Sequence, residues 1–497
     1  MVAIGDHKRA LIAQSSLACV VSSGAPVRCG PRFLFFRESG GGQLFSHDGR
    51  WIERRLGSFL AKMETGKVEK GELEEPARLV EYSDVAQRIG VLLHPAEVTS
   101  VGSDKVKLVA GGLVYGKLDP DSGRVFVVPS EGEYIASSEF VPLRVDESAA
   151  RPEFVRRLLL LPEVEAALGL LKSGKCHQRA DLEKLFACRA PMPSLPAQDN
   201  FLAQTDAAWS EIAELARSIP SFQRIVDESL ATVFDCSAPE VPSLGFASLA
   251  TLSAGRTLRN GFRFLSMNQA FATRLASFGK TVALNSVAIV RGGKRLTKGA
   301  VYANDPTGFR YLRGSDIGDA KVQLDQMMWI HESDYRQIER FKVQDGDIAL
   351  SIAGVVGKVA VLDGLGAAGA TENVALLRMR DAESHRPAFM MYLLLSSFVQ
   401  FQMRKEMSEL RQQKLSLEKV RSLRIPVFPK LAEQDKALAQ VQARFEQTHS
   451  IVEKLRSRKA EVDSALRAVV GIEEPDAPLD LQEVEIDEDI AYEVGED

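Results

Sequence analysis

"LEKLFACRAPMPSLPAQD" (Leu182–Asp199) and "LEKVRSLRIPVFPKLAEQD" (Leu417–Asp435) are two versions of one passage. Each opens on Leu-Glu-Lys, runs through a proline-containing turn and closes on a Gln-Asp pair. Upstream the correspondence continues. "SSLACVVSSGAPVRCGPRFLFF" from Ser15 returns as "ASLATLSAGRTLRNGFRFLSM" from Ala247, and "LVEYSDV" (Leu79–Val85) returns as "YLRGSDI" (Tyr311–Ile317). The offset starts at 231 to 232 residues and drifts by only four or five over this distance. A repeat of that length means two domains of one kind in tandem, because solenoid units are several-fold shorter.

Each copy divides into a globular and a helical part. In the second copy "LNSVAIVRG", "GDIALSIAG" and "GKVAVLDG" are rich in Val and Ile and bounded by Gly and Asp, as strands and tight turns require. The first copy offers "KVKLVAGGLVYGKLDP", "GRVFVVPSEG" and "EFVPLRVD". Helical stretches follow near Pro152–Lys172 and Pro387–Glu409. Beyond the quoted passage, apolar residues recur at Leu438, Val441, Phe445, Val452, Leu455, Val462, Leu466 and Val469 in a 3-4 alternation, with Thr448 and Lys459 at the two remaining seam positions. The first copy repeats it at Leu202, Thr205, Trp209, Ile212, Ala216, Ile219, Gln223, Val226, Leu230 and Val233. A narrow stripe on helices of about 36 residues points to a mutual antiparallel coiled coil; a core helix in each domain is the competing reading. Pro220 falls inside the first helix and predicts a kink or restart.

The expected fold is α+β, two tandem mixed α/β domains separated by two long helices. The divisions are an extra segment at 1–50, a first globular domain at 51–195 and a first spacer helix at 196–236. They continue with a repeat of the extra segment at 237–281, a second globular domain at 282–430, a second spacer helix at 431–471 and an acidic tail at 472–497.

The net charge of −5 conceals an uneven distribution. From Glu473 to Asp497 there are 12 Asp/Glu and no Lys/Arg, so without that stretch the chain carries +7. The tail's composition predicts disorder, and a mildly basic body leaves nucleic acid open as a partner. Five scattered cysteines lack the spacing of a zinc site or a disulfide framework. No apolar run reaches the roughly 18 residues of a membrane span and no signal peptide opens the chain, so the expected location is cytoplasmic.

The order "YLRGSDI", "FKVQDGDIALSIAGVVGKVAVLD", "ATENVALLRM", "QQKLSLEKVRSLRIPVFPKLAEQ", with its looser counterpart in the first copy, resembles the specificity subunit of type I restriction–modification systems. The likeness covers nearly the whole chain. Departures are Gly111–Gly112 where the second copy has Gly346–Asp347, and about 45 residues ahead of the usual start at Trp51–Leu56. The resemblance implies two target-recognition domains, each reading half of an asymmetric bipartite site in double-stranded DNA. It also implies two methyltransferase subunits docked on the helices and, in the full assembly, two restriction/translocase subunits. Adenine N6 methylation from S-adenosylmethionine, and any ATP and Mg chemistry, would be the partners' work. This chain is expected to be no enzyme and to hold no cofactor or metal. A non-catalytic scaffold, or a DNA-binding component of another phage-defence complex with the same fold, is the alternative.

The residues agree with that division of labour. There is no Asn-Pro-Pro or Asp-Pro-Pro target motif, and no cluster of paired carboxylates with a lysine stands out. "GLLKSGKC" (Gly169–Cys176) fits a phosphate loop except that Cys replaces Ser/Thr and a helical stretch precedes it; a glycine turn ending the helix, or a basic DNA-facing loop, competes. Cys176, His177 and Cys188 offer three soft ligands without a fourth, so a packed or exposed set is the better reading than a metal site. Arg and Lys neutralise phosphates or read guanine, and Gln and Asn read adenine. The DNA-contact candidates are therefore Lys117, Arg124, Lys172, Lys175, Gln178 and Arg179 in the first copy. In the second they are Ser351, Lys358, Asn373, Arg404, Arg411, Gln412, Gln413 and Lys414, with Gly354 allowing close backbone approach. For each, a solvated surface group is the competing reading. Leu202, Trp209, Ile212, Phe445, Val452, Leu455 and Val462 are the spacer and partner-binding candidates.

Overall fold

The structure is a computed structural model that describes residues 44–472, except 46, 170–171, 174–177, 242–261, 278 and 408–413. Residues 1–43, the stretch 242–261 of the second extra segment and the acidic tail beyond Ile472 therefore lie outside the described residues. The chain forms two compact units, Met1–Ile219 with His449–Asp497, and Pro220–Thr448.

Unit one is built on an antiparallel sheet of four strands in the order Leu60–Lys62, Phe140–Val145, Leu113–Gly116, Val125–Val127. Its central strands are buried at nearly every position, which explains their continuous apolar runs. Helices α1 (Pro152–Leu159) and α2 (Pro162–Gly169) follow, each opening on a proline whose missing N–H costs a first turn nothing. Phe154, Val155, Leu158 and Leu159 of α1 share one core with Leu113, Tyr115 and Leu143 of the sheet. A second sheet runs Lys67–Val68, Lys105–Lys107, Tyr134–Ala136, Gly71–Val80, Ala96–Val101, with Gly71–Val80 parallel to Tyr134–Ala136. A short helix, α3 (Leu182–Ala187), then leads through the strand Arg189–Pro191 into α4 (Leu195–Ser218).

Unit two opens with α5 (Phe222–Leu230), α6 (Phe262–Ser277) and the single turn α7 (Leu284–Val287). Its antiparallel sheet runs Ala288–Gly292, Val374–Met379, Asp347–Ser351, Val359–Leu362. Beside it lies a three-stranded sheet with Phe309–Leu312 parallel to Ala367–Ala370, followed in part by α8 (Glu332–Ile338). The buried helices α9 (Pro387–Leu395) and α10 (Ser397–Met407) cover the first sheet, and α11 (Leu417–Ser422) and the strand Arg424–Pro426 lead to α12 (Leu431–Val470).

The sequence repeat is thus a repeat of topology. Each unit has a four-stranded antiparallel sheet with the same pairing order, a parallel strand pair beside it, a helix pair, and a short helix and strand leading out. The two "SD" motifs fold alike: Asp84 accepts from Glu81 N at 2.8 Å and Asp316 from Arg313 N at 2.7 Å, each closing a single tight turn.

The seam is buried as its spacing requires. Trp209, Ile212, Val452, Leu455, Val462 and Leu466 are all buried, and Lys459 satisfies its ammonium on Asp463 at 2.6 Å and Leu160 O at 3.1 Å. The restart expected at Pro220 is present. The segment 196–236 is not one helix of about 36 residues: α4 ends at Ser218 and α5 starts at Phe222. Pro220 can neither donate to the preceding turn nor accept helical geometry before it, so the chain passes extended and Ser221 Oγ caps the restart on Arg224 N at 3.2 Å.

Candidate nucleic-acid interface

In unit one the central strand Leu113–Gly116 runs on into Lys117 and Leu118. Lys117 N donates to Glu139 O at 2.9 Å, and Lys117 O accepts from Ala180 N at 2.7 Å. Leu118 bridges to Arg179, and Asp119 N donates to Gln178 O at 2.9 Å. Three segments remote in sequence meet at this strand tip. Arg179 grips the Glu139 carboxylate with two N–H groups at 2.9 and 2.6 Å, and Lys117 Nζ lies 3.8 Å from the same carboxylate. Tyr82 sits beneath: its hydroxyl accepts from Leu118 N at 2.8 Å and its ring lies 4.9 Å from the Arg124 guanidinium. Burial pushes the Tyr82 phenol above its ordinary range, so it stays neutral there. Asp119 takes a left-handed conformation (φ 44°), which short polar side chains tolerate. Lys117, Arg124, Gln178 and Arg179 are therefore brought together. Lys172 belongs to a two-stranded hairpin pairing with Ala180, and Lys175 lies outside the described residues.

Unit two repeats three of these four backbone pairings. Ile352 N donates to Asn373 O at 2.9 Å, Leu415 N donates to Ile352 O at 2.8 Å, and Ala353 bridges to Lys414. Glu139 and Asn373 thus hold the same place, as do Arg179 and Lys414. Lys414 is exposed and Asn373 half-buried. Gly354, at φ +75° with open space around it, turns the chain at the tip next to Val355, which is 64% exposed. Arg404 is half-buried near the end of α10, while Arg411, Gln412 and Gln413 lie outside the described residues.

Two candidates must be withdrawn. Lys358 is buried, with its ammonium 3.1 Å from both carboxylate oxygens of buried Asp319. Ser351 is fully buried and its hydroxyl accepts from Lys358 N at 2.9 Å. The Ser351 hydroxyl and the Lys358 backbone belong to the hairpin's internal bonding, and the strand Asp347–Ser351 is buried at every position, so it offers no face to solvent. The spacer candidates also face inward. Trp209 lies against the guanidinium groups of Arg156 and Arg157, 4.4 and 4.8 Å from its ring, and Ile212, Val452, Leu455 and Val462 are buried. Phe445 packs on Phe222 at 5.6 Å, and Leu202 is half-buried.

Reading by residue type missed a basic stretch, Lys294, Arg295 and Lys298, that borders a cleft of about 310 Å³ lined by Tyr302, Tyr311, Thr371 and Asn373, among others. The signal was present as "GGKRLTKG", three cations within five residues after a glycine pair. A Cβ on Gly293 would lie 2.2 Å from Thr371 O, so only glycine lets this backbone cross so close. The phosphate-loop look-alike follows helix α2 and enters the small hairpin, the wrong context for nucleotide binding. Cys188 is buried, which pushes its thiol up to about 12, and Cys176 and His177 lie outside the described residues. Among the described residues no group of three His, Cys, Asp or Glu could hold a metal, and no helix is long and apolar enough to cross a membrane.

No family model matches the chain. A curated relative does: the type I restriction enzyme EcoBI specificity subunit of Escherichia coli is 21% identical over 296 residues, 56% of each chain. This chain resembles a type I specificity subunit. The match spans little more than half the length of that curated relative. Among solved structures, the HsdS subunit from Thermoanaerobacter tengcongensis is 18% identical, covering 86% of this chain and 97% of its own, with a TM-score of 0.33. The type I system S subunit from M. genitalium is 14% identical, covering 86% and 98%, with a TM-score of 0.37. A chain of a type I R-M system, solved for its complex assembly and conformational transition, is 18% identical, covering 86% and 98%, with a TM-score of 0.39.

Proposed function

We propose that this chain is the DNA-specificity subunit of a type I restriction–modification complex, a targeting protein that does no chemistry itself. Each unit would present one target-recognition domain to double-stranded DNA, and two methyltransferase subunits would dock on the spacer helices, with restriction/translocase subunits joining in the full assembly. The observation that carries the reading is the duplicated joint at the tip of the central strand. In each unit a stretch basic in sequence, "KSGKCHQR" or "RKEMSELRQQK", ends on Arg179 or Lys414, and that residue pairs at the tip. Basic groups set twice in the same frame suit a duplex read at two places. The frames carry different side chains, so the two half-sites should differ and the target should be bipartite and asymmetric. The 3-4 seam with buried positions on α4, α5 and α12 supports an antiparallel coiled-coil spacer. S-adenosylmethionine would be bound by the methyltransferase subunits.

The test is a map of N6-methyladenine across the host genome by single-molecule sequencing, with and without this gene. An interrupted motif with unlike halves that vanishes on deletion is the expected result. Survival of every methylated motif without the gene would overturn the reading.

A further inference from the structure

The joint that the two units share is not filled alike. At the position after the parallel strand, unit one has Glu139, already gripped by Arg179, and unit two has Asn373. Both are locked through their backbone carbonyls to the strand tip, so neither can drift. Among the described residues the Asn373 side-chain amide has no hydrogen-bond partner, although its residue is half-buried. It lines the cleft of about 310 Å³, together with Arg295, Thr297, Tyr302, Tyr311 and Thr371. The Tyr311 hydroxyl donates to Lys294 O at 2.8 Å and so fixes the basic stretch against the cleft wall. Tyr302 is 39% exposed, an aromatic surface at the rim. Lys294 and Lys298 are exposed and carry no ion pair among the described residues, whereas the Arg295 guanidinium is held beside the cleft by Glu372.

We propose that this cleft is the base-reading site of unit two, where the Asn373 amide takes the major-groove edge of an adenine while Lys294 and Lys298 hold the flanking phosphates. The chemistry is that of the groups present. An amide offers one acceptor and two donors, which match the adenine N6 donor and N7 acceptor together and no other base edge as well. Once a duplex covers the cleft and excludes water, this amide is costly to leave unpaired, so the wrong base is penalised as well as the right one rewarded. Lysines without partners contribute charge alone and hence affinity without sequence preference. At the same place in unit one, a carboxylate accepts only, so that unit would not read adenine through Glu139. The inference rests on the proposed function and names the residue that sets one base of its second half-site.

The test is selection of duplexes from a randomised library by the purified full chain, wild type against Asn373→Ala, Asn373→Asp and Lys298→Ala. With the wild type, a two-part motif should emerge with an adenine in one half. Asn373→Ala should erase the preference at that one position, on the order of tenfold, and leave the other half-site unchanged, which also shows that the variant is folded. Asn373→Asp, which removes the donors and little volume, should do the same. Lys298→Ala should weaken all sequences alike and lower the slope of log K against log salt by about one. Unaltered preference at every position in both Asn373 variants overturns the inference while the two-part motif leaves the proposed function standing. If the wild type selects no motif, both fall.

Discussion

The Gln198 side chain is fully buried, its Oε1 accepting from Arg151 N at 2.9 Å and its Nε2 donating to Pro193 O at 2.8 Å. Gln434 repeats this on Arg386 N and Pro429 O, both at 2.9 Å. The neighbouring aspartates repeat too, with Asp199 on Arg151 and Asp435 on Arg386. These glutamines satisfy backbone groups where a helix leaves the globular domain, groups that a buried helix start would otherwise leave unpaired. Gln198→Ala and Gln434→Ala should each lower stability by about 1 to 3 kcal/mol in urea unfolding. A loss below a few tenths in both would refute this capping role. The Gln-Asp pair was legible as a repeated dipeptide, but its role was not, because its partners Arg151 and Arg386 lie 47 and 48 residues upstream of the glutamines. The failures of Lys358 and Ser351 have the same origin: residue type suggests a surface, and only packing shows that Asp319 lies opposite.

At the scale of elements, α2 and the C-terminal part of α12 meet within unit one through a knot of charge. Arg467 donates to Glu163 at 2.6 Å, Lys459 pairs with Asp463, and buried Glu165 lies 3.4 Å from Arg88. Burial, only partly offset by Lys459 and Arg88, pushes the Glu165 carboxyl from 4.5 up to about 8. Burial likewise pushes the Asp463 carboxyl upward against the pull of Lys459. For a carboxyl with a raised folded value, the folded state holds a proton that the unfolded state has released. Its contribution is complete below the unfolded value and is lost as pH rises toward about 8. The Tm of the full chain should therefore fall between pH 6 and pH 8, and Glu165→Gln should shrink that fall. An identical fall in the variant would show that Glu165 is ionised in the folded state. The seam on these helices was legible from its spacing, and so was the break at Pro220, since both are local. The charge on the faces beside the seam was not, because what Glu165 meets is set by α12, nearly 300 residues away.

For the whole molecule, charge is divided by segment. The 12 carboxylates after residue 472 reverse the sign of a body that carries +7 without them. Truncation after Ile472 should strengthen binding of the full-length body to non-specific duplex at low salt, and the gain should fade as salt shortens the Debye length to about 8 Å near 0.15 M and further above it. An equal affinity at low salt would show that the tail does not compete with DNA. Within the described body the strand Gly71–Val80 exposes Glu72, Glu74 and Glu75, whereas unit two exposes Lys294, Arg295 and Lys298 after the strand Ala288–Gly292. Phosphate contact is thus expected to weigh more on unit two. By itself the sequence determined the duplication, the strand runs, the helical seam and its interruption, because each is a periodicity or a punctuation carried by neighbouring residues. Only the tertiary structure decided which polar residues of those runs meet. It took the segments around Lys117, Glu139 and Arg179, and around Ile352, Asn373 and Lys414, to one strand tip in each unit. Long-range pairing of that kind leaves no periodic trace in the chain, since it is set by sheet order and loop return.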